Sequence, residues 1–367
     1  MHVVHCLSRS DVGGGQQLVW SLVHGFRTEF PDVRTTVVLP PGGVYVSRFK
    51  ELGIGTIELP FDRLSPALFA PAAKLLRSLT PDVIHSHGKG AGMYARAGVG
   101  RTRSIRRVHM FHGFHPPASP LGSRLYLGLE RYLSRITDAF VAVSPGEAEL
   151  IGQSIPDASR LVHCIPNTVD RETVRIRSEE PIEEGVGQFI SSRPGSALIT
   201  MIARRDPVKN HPLAFDAIRY VFERETSSVV VFVGIDGTDE GFARLTGDFP
   251  GRVLAVERLA NPMPVLKASR CALLTSRREG SPLSLLEAAC LGIPVVATDV
   301  PGIRDVVVPG VTGVLCEETS KSIGEGILRV LKDDTTFSSV SEKALGSGRI
   351  LTMKEWVGKY HHLYCGG

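Results

Sequence analysis

The sequence predicts an α/β protein made of two doubly wound, parallel-sheet domains facing one another across a cleft, and three observations lead there. At 367 residues the chain is too long for one ordinary core and suits two of similar size. Both halves alternate short apolar strands with segments of helical period, the rhythm of a parallel sheet covered by helices on both faces. Between them, Glu179 to Gly195 is rich in Glu, Gly, Pro and Ser and only weakly periodic, as a linker should be. A new strand-forming core begins at Ala197, so the boundary is expected near Asp170. That gives domains of residues 1–170 and 171–351.

The first strand is read at Met1 to Leu7, and a polar turn then runs into Gly13-Gly14-Gly15. From Gln16 to Phe30 the apolar residues Leu18, Leu22, Val23 and Phe26 recur at helical spacing. Strands follow at Thr35 to Leu39 and Gly55 to Leu59, then a helix at Leu68 to Leu79 and a strand ending in His85-Ser86-His87. A helix at Ala91 to Gly98, a strand at Val108 to Phe111, a helix at Ser123 to Ile136 and a strand at Ala139 to Val143 complete the first half. In the second half the strands are Ala197 to Ala203, Val229 to Val233, Arg252 to Val256, Cys271 to Thr275, Pro294 to Ala297 and Gly313 to Leu315. Its helices are Pro212 to Glu225, Pro262 to Ala268, Pro282 to Leu291, Gly302 to Val307 and Ser320 to Lys332.

The composition, 43% hydrophobic and 22% charged, is that of a globular protein, and a formal charge of +4 gives no case for nucleic acid. The charge is unevenly spread. Lys89, Arg96, Arg101, Arg103, Arg106, Arg107, Arg124, Arg131 and Arg135 are set against the single acid Glu130, which suits either an anionic membrane surface or a plain solvated face. Arg101, Arg103, Arg106 and Arg107 are the residues expected to meet such a membrane. Six scattered cysteines without a CxxC pair fit reduced thiols in the cytoplasm, with Cys6, Cys271 and Cys290 as small core residues. The sequence shows neither a signal peptide nor an apolar run of membrane-spanning length.

In sheets of this kind ligands sit at the carboxyl ends of strands, and the unusual residues lie there. Glu279-Gly280-Ser281-Pro282-Leu283-Ser284-Leu285-Leu286-Glu287 places two carboxylates across a loop-to-helix junction. Ser281 reads as an N-cap and Pro282 as the first helical residue, so the helix's free N–H groups would face an anion ahead of it. A diphosphate there would have one carboxylate near the hydroxyls at each side, although a solvated loop Glu and a surface helix Glu fit the same spacing. Arg204 and Lys209 flank the end of the second domain's first strand and can converge on one anion. The Gly13–Gly15 run lets backbone approach a phosphate or sugar, but it does not match GxGxxG. His109, His112 and His115 recur at intervals of three. Gly113 and Pro116 break any helix there, so His112 is favoured as a single functional histidine rather than one of a metal set. His85 and His87 share a strand face and read as hydrogen-bonded structural residues. No GxSxG or Cys–His signature supports covalent catalysis.

With these residues assembled, the chain resembles the retaining glycosyltransferases of family 4, which have the GT-B fold. Glu279 to Glu287 is similar to that family's two Glu residues separated by seven. Gly292 to Thr298, Gly310 to Gly313, Asp82 to Gly88, His112-Gly113, Ala142 to Ser144 and Ile165 to Asn167 follow family segments in order. The resemblance implies that Glu287 holds the nucleotide ribose and Glu279 the donor-sugar hydroxyls. Gly280 and Leu283 would lie in the donor site, Arg204 and Lys209 on the diphosphate, and His112 near the donor sugar. Gly14 and Gly15 would border donor phosphate and acceptor. Ala203 and Asn210 stand where the family usually has Gly, and Asp305 where Glu is commoner. The closing segment Thr352 to Tyr364 is expected to cross back onto the first domain.

The expected activity is therefore transfer of a sugar from a nucleotide-diphosphate donor with retention, in polysaccharide, glycolipid or glycoconjugate biosynthesis. No enzyme nucleophile is visible, which favours a front-face mechanism, and no metal or other cofactor is expected. The acceptor would be a glycan, a lipid-linked sugar or a small molecule, and the protein cytoplasmic, with peripheral membrane contact if the acceptor is lipid-linked. A sugar-nucleotide epimerase, a glycoside phosphorylase and a non-catalytic sugar-nucleotide-binding protein are the alternatives, with a metal hydrolase on the His109 cluster further off. Acceptor choice is expected to lie in loops Pro40 to Val46 and His115 to Ser123, which carry no readable pattern.

Overall fold

The computed structural model describes residues 1–63, 65–100, 102, 104–114, 116–117, 119–332 and 350–366. Arg101, Arg103 and His115 lie outside the described residues. The chain divides into two compact units: Met1–Asn167 with Met353–Gly367, and Thr168–Thr352.

The first unit is a seven-stranded parallel sheet. Its strands are β1 His2–Leu7, β2 Arg34–Leu39, β3 Gly55–Glu58, β4 Val83–His87, β5 Arg106–Met110, β6 Ala139–Ala142 and β7 Val162–Cys164, in the order β3-β2-β1-β4-β5-β6-β7. The helices between them are α1 Gly14–Glu29, α2 Val44–Glu51, α3 Pro66–Ser78, α4 Lys89–Val99, α5 Pro120–Ser134 and α6 Pro145–Ser154. The strand order reverses between β1 and β4, and the crevice at a doubly wound sheet's switch point is where ligands bind. The C-terminal helix Met353–Tyr364 packs on α1 at Gly25, where an added Cβ would lie 2.5 Å from Val357 Cγ2. Glycine is thus what lets these two helices approach.

The second unit has six parallel strands: β8 Ala197–Ile202, β9 Ser228–Val233, β10 Val253–Val256, β11 Cys271–Leu274, β12 Val295–Thr298 and β13 Gly313–Cys316. Their order β10-β9-β8-β11-β12-β13 puts its switch point between β8 and β11. Its helices are α7 Arg171–Ser178, α8 Glu184–Ser191, α9 His211–Phe222, α10 Glu240–Asp248, α11 Met263–Lys267, α12 Leu283–Cys290 and α13 Ser320–Lys332. Asp170 caps α7 by accepting from the N–H groups of Glu172 and Thr173.

Several local expectations are corrected. The weakly periodic linker contains α8, which buries Val186 against a cluster with Leu198, Val229 and Val231. Phe189 and Ile190, three and four residues on, pack against the same cluster, so the apolar face is real but confined to about one turn between Gly- and Ser-rich flanks. Gly302 to Val307 is a run of turns rather than a helix. Helices α2, α6 and α10 and strand β7 stand where the sequence suggested no element. Of the basic stretch, Arg96 and Arg107 are not surface residues. Arg96 is buried in a two-pronged pair with Glu130 (2.9 and 3.0 Å), and Arg107 lies against Asp138 (2.8 and 3.0 Å). All six cysteines are free, and burial pushes the Cys271 thiol up to about 12. No helix among the described residues is long and apolar enough to cross a membrane.

Candidate functional site

Both switch points carry the residues singled out from the sequence. In the second unit, Arg204 and Lys209 lie on the loop after β8, and Glu279 on the loop after β11. Asp206 closes a short turn over Pro207–Lys209 by accepting from the Val208 N–H at 3.0 Å. Thr275 Oγ1 donates to the carbonyls of Lys209 (3.0 Å) and Asn210 (3.1 Å), which ties that turn to the end of β11. Lys209 Nζ then donates to Glu279 Oε1 at 2.5 Å, and Ser276 Oγ donates to the same oxygen at 2.5 Å. Arg204 is half exposed and pairs with Asp206 at 3.3 Å. The sequence thus placed one ion pair of this site, Lys209–Glu279, without foreseeing that the two partners meet.

The helix after Glu279 begins one residue later than expected. Pro282 is the N-cap, with extended ψ of 118°, and Leu283 is the first helical residue, so Ser281 is not the cap. Gly280 is buried before it. Glu287 falls in the second turn of α12, where burial pushes its carboxyl up to about 7 while Arg177 pulls the other way. Gly302, at φ +83°, lies against the Glu279 and Gly280 carbonyls, and an added Cβ would sit 2.4 Å from both oxygens. Ser276, Thr275 and Gly302 were not recognised from the sequence. Their role is contact with the Lys209–Glu279 loops, which leaves no local pattern.

In the first unit, the glycine run does not end β1. Residues 8–12 intervene, Gly13 is the N-cap of α1, and Gly14 and Gly15 are its first two residues. Around Gly14 there is open space, whereas a Cβ on Gly15 would lie 3.3 Å from the His112 ring. His112 has a left-handed backbone, φ +59°, strained for a residue with a Cβ and informative about function where it occurs. Two contacts hold it. Gly113 N–H donates to Glu147 Oε1 at 2.7 Å, while Glu147 Oε2 accepts from Val143 N–H at 2.8 Å. Glu147 also takes its own N–H to Ser144 Oγ at 3.2 Å, half of a capping box. The Ser144-Pro145-Gly146-Glu147 spacing was the signal that could have found it.

The second contact is a row of imidazoles. His112 Nε2 is 3.0 Å from His87 Nδ1, and His87 Nε2 is 3.1 Å from His5 Nδ1. His5 and His85 are opposite in the β1–β4 register, and alternation puts His87 on the same face. His85 bonds Tyr364 at 2.7 Å instead. Burial pushes His112 down to about 4, His5 down to about 3 and His87 well below the usual range, so the row is neutral near pH 7. His5 Nε2 is buried without a partner among the described residues. A bare lone pair there costs less than an orphan N–H, so each proton points from His5 toward His112. In that arrangement His112 carries its proton on Nδ1. His5, His85 and His87 offer ligand atoms within 4.8 Å of one another, but both nitrogens of His87 are already hydrogen-bonded. His109 lies on the other sheet face, bonded to Ser86 Oγ at 2.9 Å, so it does not join His112.

Residues 12–173 match the family described as Glycosyltransferase Family 4, and residues 188–345 match Glycosyl transferases group 1. Together the two matches support a family 4-like glycosyltransferase with the GT-B fold. An Escherichia coli UDP-Gal:alpha-D-GlcNAc-diphosphoundecaprenol alpha-1,3-galactosyltransferase is 28% identical over 62% of this chain, and the alignment spans 60% of that enzyme's length. A GDP-mannose-dependent alpha-mannosyltransferase of Mycobacterium tuberculosis is 24% identical over 95% of this chain and 92% of its own. The Anabaena protein HepE, solved in complex with UDP, superposes with a TM-score of 0.81 at 18% identity, covering all of both chains.

Two of this glycosyltransferase's departures from the family pattern have a physical reading. Asn210, where Gly is usual, has φ +53° and ψ +51°, the left-handed conformation that Asn tolerates best among residues with side chains. Its side chain donates to Glu318 at 3.0 Å. Asp305, where Glu is commoner, still reaches the Gly302 N–H at 3.2 Å.

Proposed function

We propose that this glycosyltransferase uses a nucleotide-diphosphate sugar and retains the anomeric configuration. The observation that carries the reading is the Lys209–Glu279 pair at the second sheet's switch point, with Arg204 beside it on the β8 loop and Glu287 along α12. Lys209 and Arg204 would neutralise the diphosphate, Glu279 and the Gly280–Leu283 junction would hold the donor sugar and phosphates, and Glu287 the ribose hydroxyls. His112 would donate to the donor sugar, and the Gly14-Gly15 helix start would border donor phosphate and acceptor.

The acceptor oxygen would attack C1 on the face from which the diphosphate departs. The C1–O bond breaks with its electron pair going to the phosphate oxygen, and that oxygen takes the acceptor's proton. Charge on the leaving group grows as this happens, so fixed cations lower the barrier without a metal. The relatives named above use UDP- and GDP-sugars by name, which supports the donor class and leaves the base open. The acceptor class is a glycan, a lipid-linked sugar or a small molecule in glycan or glycoconjugate biosynthesis, and the reaction is assigned to the cytoplasm.

A thermal-shift screen of nucleoside diphosphates and their sugars tests the reading, since a ligand of the folded state raises the melting temperature. One nucleotide series should shift the protein, and product NMR should show the donor's anomeric configuration. Donor turnover without acceptor would favour an epimerase. No shift with any nucleotide would remove the reading.

A further inference from the structure

Helix α5 carries an apolar stripe that no described residue of its unit covers. Leu121, Leu125, Tyr132 and Leu129 are 69, 67, 61 and 39% exposed, four of the seven large exposed hydrophobics among the described residues. At 3.6 residues per turn they fall within an arc of about 80°. Arg124, Arg131 and Arg135 are exposed and follow on one flank, within a further arc of about 40°. The inward face is fixed by other means. Glu130 is buried in its pair with Arg96, Leu133 and Ser134 are buried, and Tyr126 and Leu127 pack on the Phe111–Phe114–Phe140 cluster.

Glu130 is the helix's only acid, and it is neutralised inside. What α5 shows to solvent is therefore leucine, tyrosine and arginine with no negative charge. We propose that this outer face of α5 docks on an anionic lipid bilayer. Acyl chains would cover the leucines, Tyr132 would sit at the interface, and the arginine stems would extend to headgroup phosphates. Of the four arginines first expected to meet a membrane, Arg107 is buried against Asp138, and Arg101 and Arg103 lie outside the described residues. The proposal does not depend on the donor assignment.

The full chain is floated with phosphatidylcholine vesicles, with and without phosphatidylglycerol. Wild type should float with the anionic vesicles. Leu121→Ser with Leu125→Ser should abolish flotation at any salt concentration. Arg124→Ser and Arg131→Ser should each weaken it about fivefold at low salt, and added salt should bring wild type toward the arginine variants. All four positions are exposed, so melting temperatures should hold and separate lost docking from lost folding. Wild type that stays with the vesicle-free fraction would overturn the proposal, as would flotation indifferent to both sets of variants. A dimer in light scattering that Leu125→Ser disperses, without flotation, would also overturn it in favour of a second copy.

Discussion

At the first sheet's switch point the side chains are neutral rings in a hydrogen-bonded row, whereas at the second they are opposite charges in contact. Burial accounts for the difference. His5 and His87 are almost wholly removed from water, and a charge there would be costly, so the row can offer only hydrogen bonds of fixed direction. Lys209, Glu279 and Arg204 keep some access to solvent, and each already has a partner of opposite charge. The pairing places the cation before any ligand arrives. A neutral row suits recognising hydroxyls that do not change in the reaction, and pre-placed cations with some access to solvent suit a phosphate whose charge grows.

The comparison makes its strongest prediction in turnover. Lys209→Ala and Arg204→Ala should each lower kcat by about 10²–10³, the scale of removing one charge-stabilising donor. His112→Ala, which removes a neutral donor, should cost only about tenfold. Steady-state kinetics on one donor checks both, and equal losses at the two switch points would erase the distinction.

How much of this could be read beforehand differs between the regions for the same reason. All the described strands but β7 followed from apolar runs, Arg204, Lys209 and Glu279 from charge in strand-end loops, and Glu287 from its place on the helix that follows, which is visible in one dimension. The row His5–His87–His112 joins three segments through the sheet register, so His87 read as a structural histidine and His5 as part of a strand. Ser281 was misplaced as a cap because Pro282 is extended and starts the helix one residue on. Helix α8 was hidden because its apolar face, Val186, Phe189 and Ile190, spans only about one turn within a Glu-, Gly- and Ser-rich segment.

A smaller effect tests what supports the neutral region. Glu147 receives two backbone N–H groups, from Gly113 and Val143, and so fixes the strained turn at His112. Glu147→Gln puts an amide where one acceptor oxygen was, leaving a buried N–H without its bond. The expected loss is about 1–3 kcal/mol by denaturant unfolding, with kcat reduced because His112 is no longer held. Unchanged stability would mean the turn is set elsewhere, and the neutral site would then be less pre-formed than the charged one.

The last prediction uses pH. The neutral row has no histidine that titrates near pH 7, since burial holds His112 and His5 at about 4 and about 3. In the charged unit Glu287 is poised there, raised by burial from 4.5 to about 7. If its carboxylate accepts from the ribose hydroxyls, bound nucleotide favours the ionised form. Affinity should then fall on acidification, approaching about tenfold per pH unit below 7, and binding should release protons. Folding responds with the opposite sign. A raised pKa means that the folded chain binds the proton more tightly than the unfolded one. Glu287's contribution to stability is therefore complete below 4.5 and is lost as pH rises through about 7. Calorimetric titration of a nucleoside diphosphate across this range, in buffers of different ionisation enthalpy, measures the affinity and proton release together. Glu287→Gln should flatten both. An affinity independent of pH in wild type would detach Glu287 from the ribose.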